Sequence, residues 1–381
     1  MNLSISVGVA GLVLFLQDPG SYTEFLACRG TDAQALLDLL QDFLDLDSFS
    51  VVKPLICKAL GRLSRVSGLH PHCFALTGLQ KIGQQVGGGG FGDIWKGLVR
   101  GQSVCVKIMR IFQNDDIQAV LKDFGREALI WRQLCHPNLL PFFGLYYVDN
   151  RLCLVSPWMQ NGNIMEFLRK PVNRDRLSLI LDVARGLEYL HKQKVVHGDL
   201  KAINILVTPS GRACIADFGL SSVENAMTLS FPHSTASTRR GGTPRYQAPE
   251  LFQGKKHHYG SDVYAFACVC YEILTGQLPF HDLNDMAVMF HILNGKHPLR
   301  PMSCSDSLWE LLQNCWVENA GMRPTAPQIV ERLEGPSIRA TTTSSTTDWD
   351  DTFTSKFRRS LQTQPLLPSV TQIERILFGE G

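Results

Sequence analysis

His197-Gly198-Asp199-Leu200-Lys201-Ala202-Ile203-Asn204, followed downstream by Asp217-Phe218-Gly219, sets two carboxylates, a lysine and an asparagine in a fixed order. A hydroxyl nucleophile that attacks phosphorus must lose its proton, and a carboxylate at Asp199 answers that need. Asn204 and Asp217 offer the hard oxygens that Mg²⁺ takes in near-octahedral geometry. Lys201, two residues past Asp199, can neutralise charge on a transferring phosphate. Any one of these polar residues alone would pass for a turn former. The ordered set does not, because Gly241-Gly242-Thr243 and Ala248-Pro249-Glu250 follow it.

Upstream, Gly87-Gly88-Gly89-Gly90-Phe91-Gly92-Asp93-Ile94 fits the spacing G-x-G-x-x-G-x-[VI]. Glycines let backbone N–H groups approach phosphate oxygens without interference from a Cβ. The motif alone is weak, since a dinucleotide loop reads similarly. Asp93-Ile94-Trp95-Lys96-Gly97 then continues as a strand, so the glycines are expected to cap a hairpin. Val104-Cys105-Val106-Lys107 alternates as a strand should, and ends on a lysine suited to gripping phosphates. A carboxylate partner for that lysine is expected at Glu127, with Asp123 the weaker candidate, on a helical stretch from Leu121 to Leu134.

With these motifs in place, residues 79–334 resemble the eukaryotic protein kinases. The resemblance implies an α+β bilobal fold, with a small β-rich N-lobe, a larger helical C-lobe, an N-terminal helical extension and a disordered C-terminal tail. It implies that Asp199 is the catalytic base, that Lys107 pairs with Glu127, and that Asn204 and Asp217 hold Mg²⁺, or Mn²⁺ in its place. ATP would lie against Val86, Gly87 to Gly90, Phe91, Gly92, Ile94, Cys105, Ser156, Pro157, Met159 and Leu206. Within that set Ser156 matches a small gatekeeper, Met159 supplies an N–H to the adenine ring, and Cys105 replaces the usual alanine over it. Phe218, Gly219, Thr243 and Glu250 belong to the activation segment by the same resemblance. Glu250 would pair with Arg323, and Asp262 would brace the catalytic loop. Phe91-Gly92-Asp93-Ile94-Trp95, Ser261-Asp262-Val263-Tyr264 and Cys315-Trp316 resemble the tyrosine-kinase-like group. Lys201 and Gly242-Thr243-Pro244-Arg245-Tyr246 resemble its serine/threonine members. The activity implied is transfer of the ATP γ-phosphoryl group to protein Ser or Thr. A nucleotide-binding pseudokinase or scaffold, and dual or tyrosine specificity, are the alternatives.

Most kinases carry an arginine where this chain has Gly198, and that arginine reads a phosphate on the activation segment. The segment still holds Ser221, Ser222, Thr228, Ser230, Ser234, Thr235, Ser237 and Thr238. Either it orders without phosphate, activity being set by the N-terminal region or dimerisation, or another cation such as Arg126 reads the phosphate. The missing arginine favours the first account.

Residues 1–78 precede this region. Leu36, Leu39, Leu40, Phe43 and Leu44 recur at helical spacing, with Asp32, Asp38, Asp42 and Asp45 opposite and Thr31/Gln34 as a capping box. Val52, Leu55, Ile56, Ala59, Leu60, Leu63 and Val66 repeat the pattern over a basic face of Lys53, Lys58, Arg62 and Arg65, with Pro54 in the first turn. An antiparallel helical hairpin over 31–68 is expected. It reads as a docking or oligomerisation module or, preferentially, as a small bundle braced on the next domain, its charges solvated. Val7 to Leu16 is too short to span a bilayer and lacks a signal's basic flank. Residues 335–381, with Thr341 to Thr347, read as a flexible tail.

The 381 residues carry a formal net charge of +2, which gives no ground for a nucleic-acid partner; protein substrates are the expected partners. Eleven cysteines without framework spacing imply reduced thiols and a cytoplasmic, intracellular setting. His70, His72 and Cys73 lack a second ligand pair at zinc spacing and read as an incidental cluster.

Overall fold

The computed structural model describes residues 3–45, 51–72, 76, 78–89, 92–108, 128–129, 131–148, 151–170, 175–217, 222–223, 244–302, 304–340, 347–350, 353–354 and 356–357. They fall into two compact units: Met1–Gln133 with Pro141–Trp158 and Asp351–Gly381, and Leu134–Leu140 with Met159–Asp350.

The first unit begins with four helices, α1 (Leu3–Gln17), α2 (Pro19–Ala27), α3 (Gly30–Leu44) and α4 (Lys53–Ser67). α3 packs on α4, and α1 and α2 lie against α4. Leu36, Leu40 and Phe43 of α3 and Ile56, Leu60 and Leu63 of α4 are each no more than 4% exposed. Burial of such side chains stabilises by roughly 1.5–3 kcal/mol each. Asp18 caps α2 by accepting the Ser21 N–H at 2.8 Å. Pro54 sits in the first turn of α4, and Gly68, at φ +72°, ends that helix with its N–H on the Ser64 carbonyl.

Two expectations fail here. The Thr31/Gln34 capping box does not form: α3 begins at Gly30 with no side-chain cap. Gln34 donates instead to the His70 carbonyl at 2.9 Å, tying α3 to the segment after α4. Nor is the acidic face simply solvated. Asp38 accepts the His72 N–H at 2.6 Å and pairs with its Nδ1 at 2.7 Å, and Asp45 pairs with the guanidinium of Arg132. Cys73 of the histidine cluster lies outside the described residues.

An antiparallel sheet completes this unit, in the order β1-β2-β3-β5-β4. Its strands are β1 (Leu79–Gly89), β2 (Gly92–Val99), β3 (Gln102–Ile108), β4 (Gly144–Val148) and β5 (Arg151–Pro157). Strand alternation puts Val104, Val106 and Ile108 on one face, at most 2% exposed, with Phe143, Cys153 and Val155. The tail reaches this core. Phe357, 8% exposed, stacks on Phe143 with ring centroids 3.7 Å apart, and Phe353 lies 5.7 Å away. The tail therefore holds an ordered portion inside the stretch expected to be flexible, because its aromatics have an apolar surface to cover.

The second unit is mainly helical: α5 (Ile164–Leu168), α6 (Arg176–Lys192), α7 (Pro249–Phe252), α8 (Tyr259–Thr275), α9 (Asp285–Leu293), α10 (Asp306–Cys315) and α11 (Ala326–Glu334). Residues 261 to 273 of α8 are buried throughout, including Phe266, Val269 and Ile273 at 0% exposure, which makes it the axis of this core. Two short ladders pack on α6, β6 (Val195–Val196) with β9 (Ser222–Val223) and β7 (Ile205–Val207) with β8 (Ala213–Ile215). Asp348 accepts from the Ser210 N–H at 3.1 Å, and the Trp349 indole donates to the His136 carbonyl at 3.0 Å. Among the described residues no helix is long and apolar enough to cross a membrane.

Candidate active site

In the first unit the face of β3 opposite the core carries Cys105 and Lys107. Register sets Lys107 between Ile94 of β2 and Leu154 of β5, and Cys105 beside Ser156. Ile94, Cys105, Lys107 and Ser156 therefore share one side of the sheet, as residues of one cross-strand row must. Val86, 58% exposed, precedes Gly87, the partner of Ile94, and β1 pairs with β2 as far as Gly89 and Gly92. The expected hairpin is thus formed, and it carries bulges between Ile82 and Gly87. Gly90 and Phe91 lie outside the described residues, as do Asp123 and Glu127.

The second unit assembles the loop from Val196 to Ile205. His197 is fully buried, and its Nε2 lies 3.1 Å from the Ala216 carbonyl, an acceptor. Nε2 therefore carries the proton, which leaves Nδ1 to accept the Asp199 N–H at 3.2 Å. Asp262, at the start of α8 and 1% exposed, accepts the N–H groups of His197 at 2.8 Å and Gly198 at 2.9 Å. Its Oδ2 also lies 3.0 Å from His191 Nε2. Burial would raise the Asp262 carboxyl, but hydrogen bonds from His191 and the Gly198 N–H, with the neighbouring imidazoles, hold it below the usual carboxylate range. Gly198 has φ +80°, a conformation that a side chain disfavours.

Around Asp199 the polar groups converge. Lys201 Nζ lies 2.7 Å from Asp199 Oδ2. Asn204 donates its Nδ2 to the Asp199 carbonyl at 2.9 Å and to Oδ2 at 3.4 Å. Its amide nitrogen is committed to Asp199, so its carbonyl oxygen is the end turned away. The Ala216 N–H donates to the backbone carbonyl of Asn204 at 2.8 Å, bringing Asp217 into the neighbourhood of Asn204. Asp217 itself has φ +66°, strained for any residue with a Cβ and tolerated best by Asn and Asp. The donor set is all oxygen, which fits Mg²⁺ and not a thiolate- or imidazole-seeking metal.

Leu206 stands opposite Cys214 in the β7–β8 ladder, while Ile205 and Val207 on either side are fully buried. Met159 is buried at 7% exposure in this unit, and Ser156 and Pro157 end β5 in the other. Arg323 grips Glu250 with two hydrogen bonds of 2.8 Å, the expected pair. Opposing causes act on Glu250: burial raises its carboxyl and the Arg323 bonds lower it, with the net result below the ordinary value. Phe218, Gly219 and Thr243 lie outside the described residues, as does Arg126.

Some positioning residues escaped the sequence reading. Asp182 of α6, fully buried, binds the Arg212 Nε at 2.8 and 3.0 Å and the Ala213 N–H at 3.0 Å, fixing the β7–β8 hairpin on α6. Tyr246 hydrogen-bonds Glu272 of α8, and Arg245 donates to the Pro279 carbonyl at 2.9 Å and the Leu283 carbonyl at 2.6 Å. Charged residues at apolar helical positions, such as Asp182 within Leu179-Ile180-Leu181-Asp182-Val183, were the available signal.

The family model for protein tyrosine and serine/threonine kinases matches residues 80–333. The chain belongs to the protein kinase family. It is 32% identical to serine/threonine-protein kinase STY17 of Arabidopsis thaliana over 259 residues, 66% of this chain and 44% of that one. It is 33% identical to serine/threonine/tyrosine-protein kinase HT1 of the same plant, over 66% of this chain and 65% of the relative. The chain thus spans less than half of the first relative and under two thirds of the second. These relatives carry the kinase names that the tyrosine-kinase-like features led one to expect.

Proposed function

We propose that this chain transfers the γ-phosphoryl group of ATP to serine or threonine hydroxyls of protein substrates. The observation that carries this reading is the Asp199 carboxylate, held on its Oδ2 by Lys201 at 2.7 Å and fastened through its backbone carbonyl by Asn204. In this reading Asp199 orients the substrate hydroxyl and accepts its proton as the bond to phosphorus forms. Lys201 keeps Asp199 in place and offsets charge developing on the transferred group. Lys107, partnered by Glu127, and the glycine hairpin hold the phosphates, while Val86, Cys105, Met159 and Leu206 cover the adenine. Asn204 and Asp217 would hold Mg²⁺, whose chemistry is to neutralise phosphate charge. The site contributes positioning and fixed electrostatics. Arg323 and Glu250 brace the end of the activation segment from inside the second unit.

Lys201 supports Ser/Thr over Tyr specificity, and the buried thiols Cys214, Cys268 and Cys270 suit a reducing, intracellular setting. The test is phosphosite mapping of the full chain incubated with Mg-ATP, beside Asp199→Asn. Phosphoserine or phosphothreonine in the wild type and none in the variant supports the reading. An inactive wild type still thermally stabilised by ATP would turn it toward a nucleotide-binding scaffold.

A further inference from the structure

Helix α9 lacks the polar outer face that a surface helix normally keeps. Of its nine residues, Asp285-Met286-Ala287-Val288-Met289-Phe290-His291-Ile292-Leu293, seven are apolar. Val288 and Ile292, one turn apart, are 0% and 2% exposed and form the inward side. The opposite stripe is apolar too. Met286 is 72% exposed, Phe290 67% and Leu293 42%, at the i, i+4, i+7 spacing of one helical face. A helix apolar all round belongs in an interior, and a stripe of large exposed apolar side chains marks an interaction surface.

The second unit holds this helix firmly. Asn284 caps its first turn by accepting the Ala287 N–H at 2.9 Å. Arg245 donates to the Leu283 carbonyl at 2.6 Å and pairs with Asp285 at 3.3 Å, fastening the start of α9 to the segment before α7. The stripe is therefore presented in a fixed orientation, which lowers the ordering cost of binding on this side.

The charges at its two ends say what the stripe fits. Asp282 and Asp285 stand at its beginning and Lys296 three residues past its end, and all three are exposed. Along the helix the surface therefore reads acidic, apolar, basic. A second α9 laid antiparallel reads basic, apolar, acidic against it. Met286 then falls opposite Leu293 of the other copy, the two Phe290 side chains lie near the centre, and each Lys296 comes near the acidic end. A two-fold axis supplies this inverse order automatically, because the same patch faces itself. The helix dipoles also run in opposite directions, each N-terminus beside the other's C-terminus. A partner of a single charge sign would suit one end and oppose the other.

We propose that two copies of this chain associate through α9, packed antiparallel about a two-fold axis near Phe290. One helical stripe makes a small interface, so the dimer belongs to the weak, transient class, with a Kd on the order of 10 µM. The association uses none of the residues of the candidate active site.

Sedimentation velocity of the full-length chain tests it, over a range from about 1 to about 100 µM. The mass is expected to rise from that of one chain toward that of two. Phe290→Glu should stay monomeric throughout and keep the parent's thermal unfolding, since the side chain it replaces is exposed. Lys296→Glu sets like charges against each other in two symmetry-related places and should weaken the dimer about tenfold at low salt. Adding Asp282→Lys to that variant should recover about threefold of the loss, because the two sites couple only if they meet across the axis. A parent that is monomeric at about 100 µM, or a dimer undiminished in Phe290→Glu, overturns the proposal. No recovery in the double charge variant overturns the antiparallel arrangement and the proposal with it. If Phe290→Glu does not fold, Met286→Lys on the same stripe is judged by the same outcomes. A monomeric parent whose Phe290→Glu variant fails to phosphorylate casein, yet uses a short serine peptide normally, assigns the face to protein substrates and likewise overturns it.

Discussion

Gly198 donates its N–H to Asp262 Oδ1 at 2.9 Å while its own backbone stands at φ +80°. The bond fixes the catalytic loop from beneath, and the dihedral explains why glycine is comfortable there. Gly198→Ala is expected to destabilise the fold by about 1–2 kcal/mol, the cost of a left-handed residue with a Cβ. Denaturant midpoints of the two proteins decide it, and equal midpoints would refute the role given to the dihedral.

Asp262→Asn keeps the shape but replaces one acceptor oxygen with a donor aimed at backbone N–H groups. We expect a loss of roughly 2–4 kcal/mol, since buried donors lose a charged acceptor. The pH dependence has a definite sign. A carboxyl held below its ordinary value contributes stability above about pH 4, lost as pH falls through its folded value. Stability measured from about pH 6 to about pH 3 should therefore fall less in Asp262→Asn than in the parent.

Asp42 behaves in the opposite sense. Burial, then the nearby Asp45 and Asp38, push its carboxyl up to about 7, with Arg132 pulling the other way. A group that binds its proton more tightly in the folded state weakens the fold as pH rises from about 4 toward 7. Asp42→Asn should remove that loss, leaving the variant more stable than the parent by on the order of 1–3 kcal/mol at about pH 8. At about pH 3, below both the unfolded and the folded value, the two should be nearly equal. Chemical denaturation at both pH values checks it.

The Glu250–Arg323 pair is bidentate, and its side chains are 6% and 0% exposed. Arg323→Ala leaves Glu250 buried without its guanidinium partner, with His258 Nε2 3.2 Å away. A drop of about 3–5 kcal/mol is expected, and Arg323→Lys should recover only part of it. Thermal unfolding of the two variants, followed by circular dichroism, measures the difference.

Sequence and structure agree most closely where chemistry demands a residue type. The Glu250–Arg323 pair and the hold of Asp262 on the loop around Gly198 could be read because those positions tolerate few side chains, and Asp199, Lys201 and Asn204 lie together in that loop. The strands and glycine hairpin followed from alternation and turn chemistry. Partners on polar helix faces were less legible. Asp45 and Gln41 look like any solvated residues until Arg132 and Gln133 are brought against them, because helical periodicity says which face is polar and not what that face meets. The Thr31/Gln34 box failed for a related reason: Gln34 had a competing acceptor at His70 that no local rule foresees.

The ordered part of the tail bears on where the catalytic unit can be cut. The family match ends at residue 333, yet Phe357 belongs to the core around Phe143, and Trp349 hydrogen-bonds the His136 carbonyl. A chain trimmed to the match would uncover the apolar surface of Phe143 that Phe357 packs on. A fragment that keeps this core whole extends past residue 357, well beyond the end of the family match.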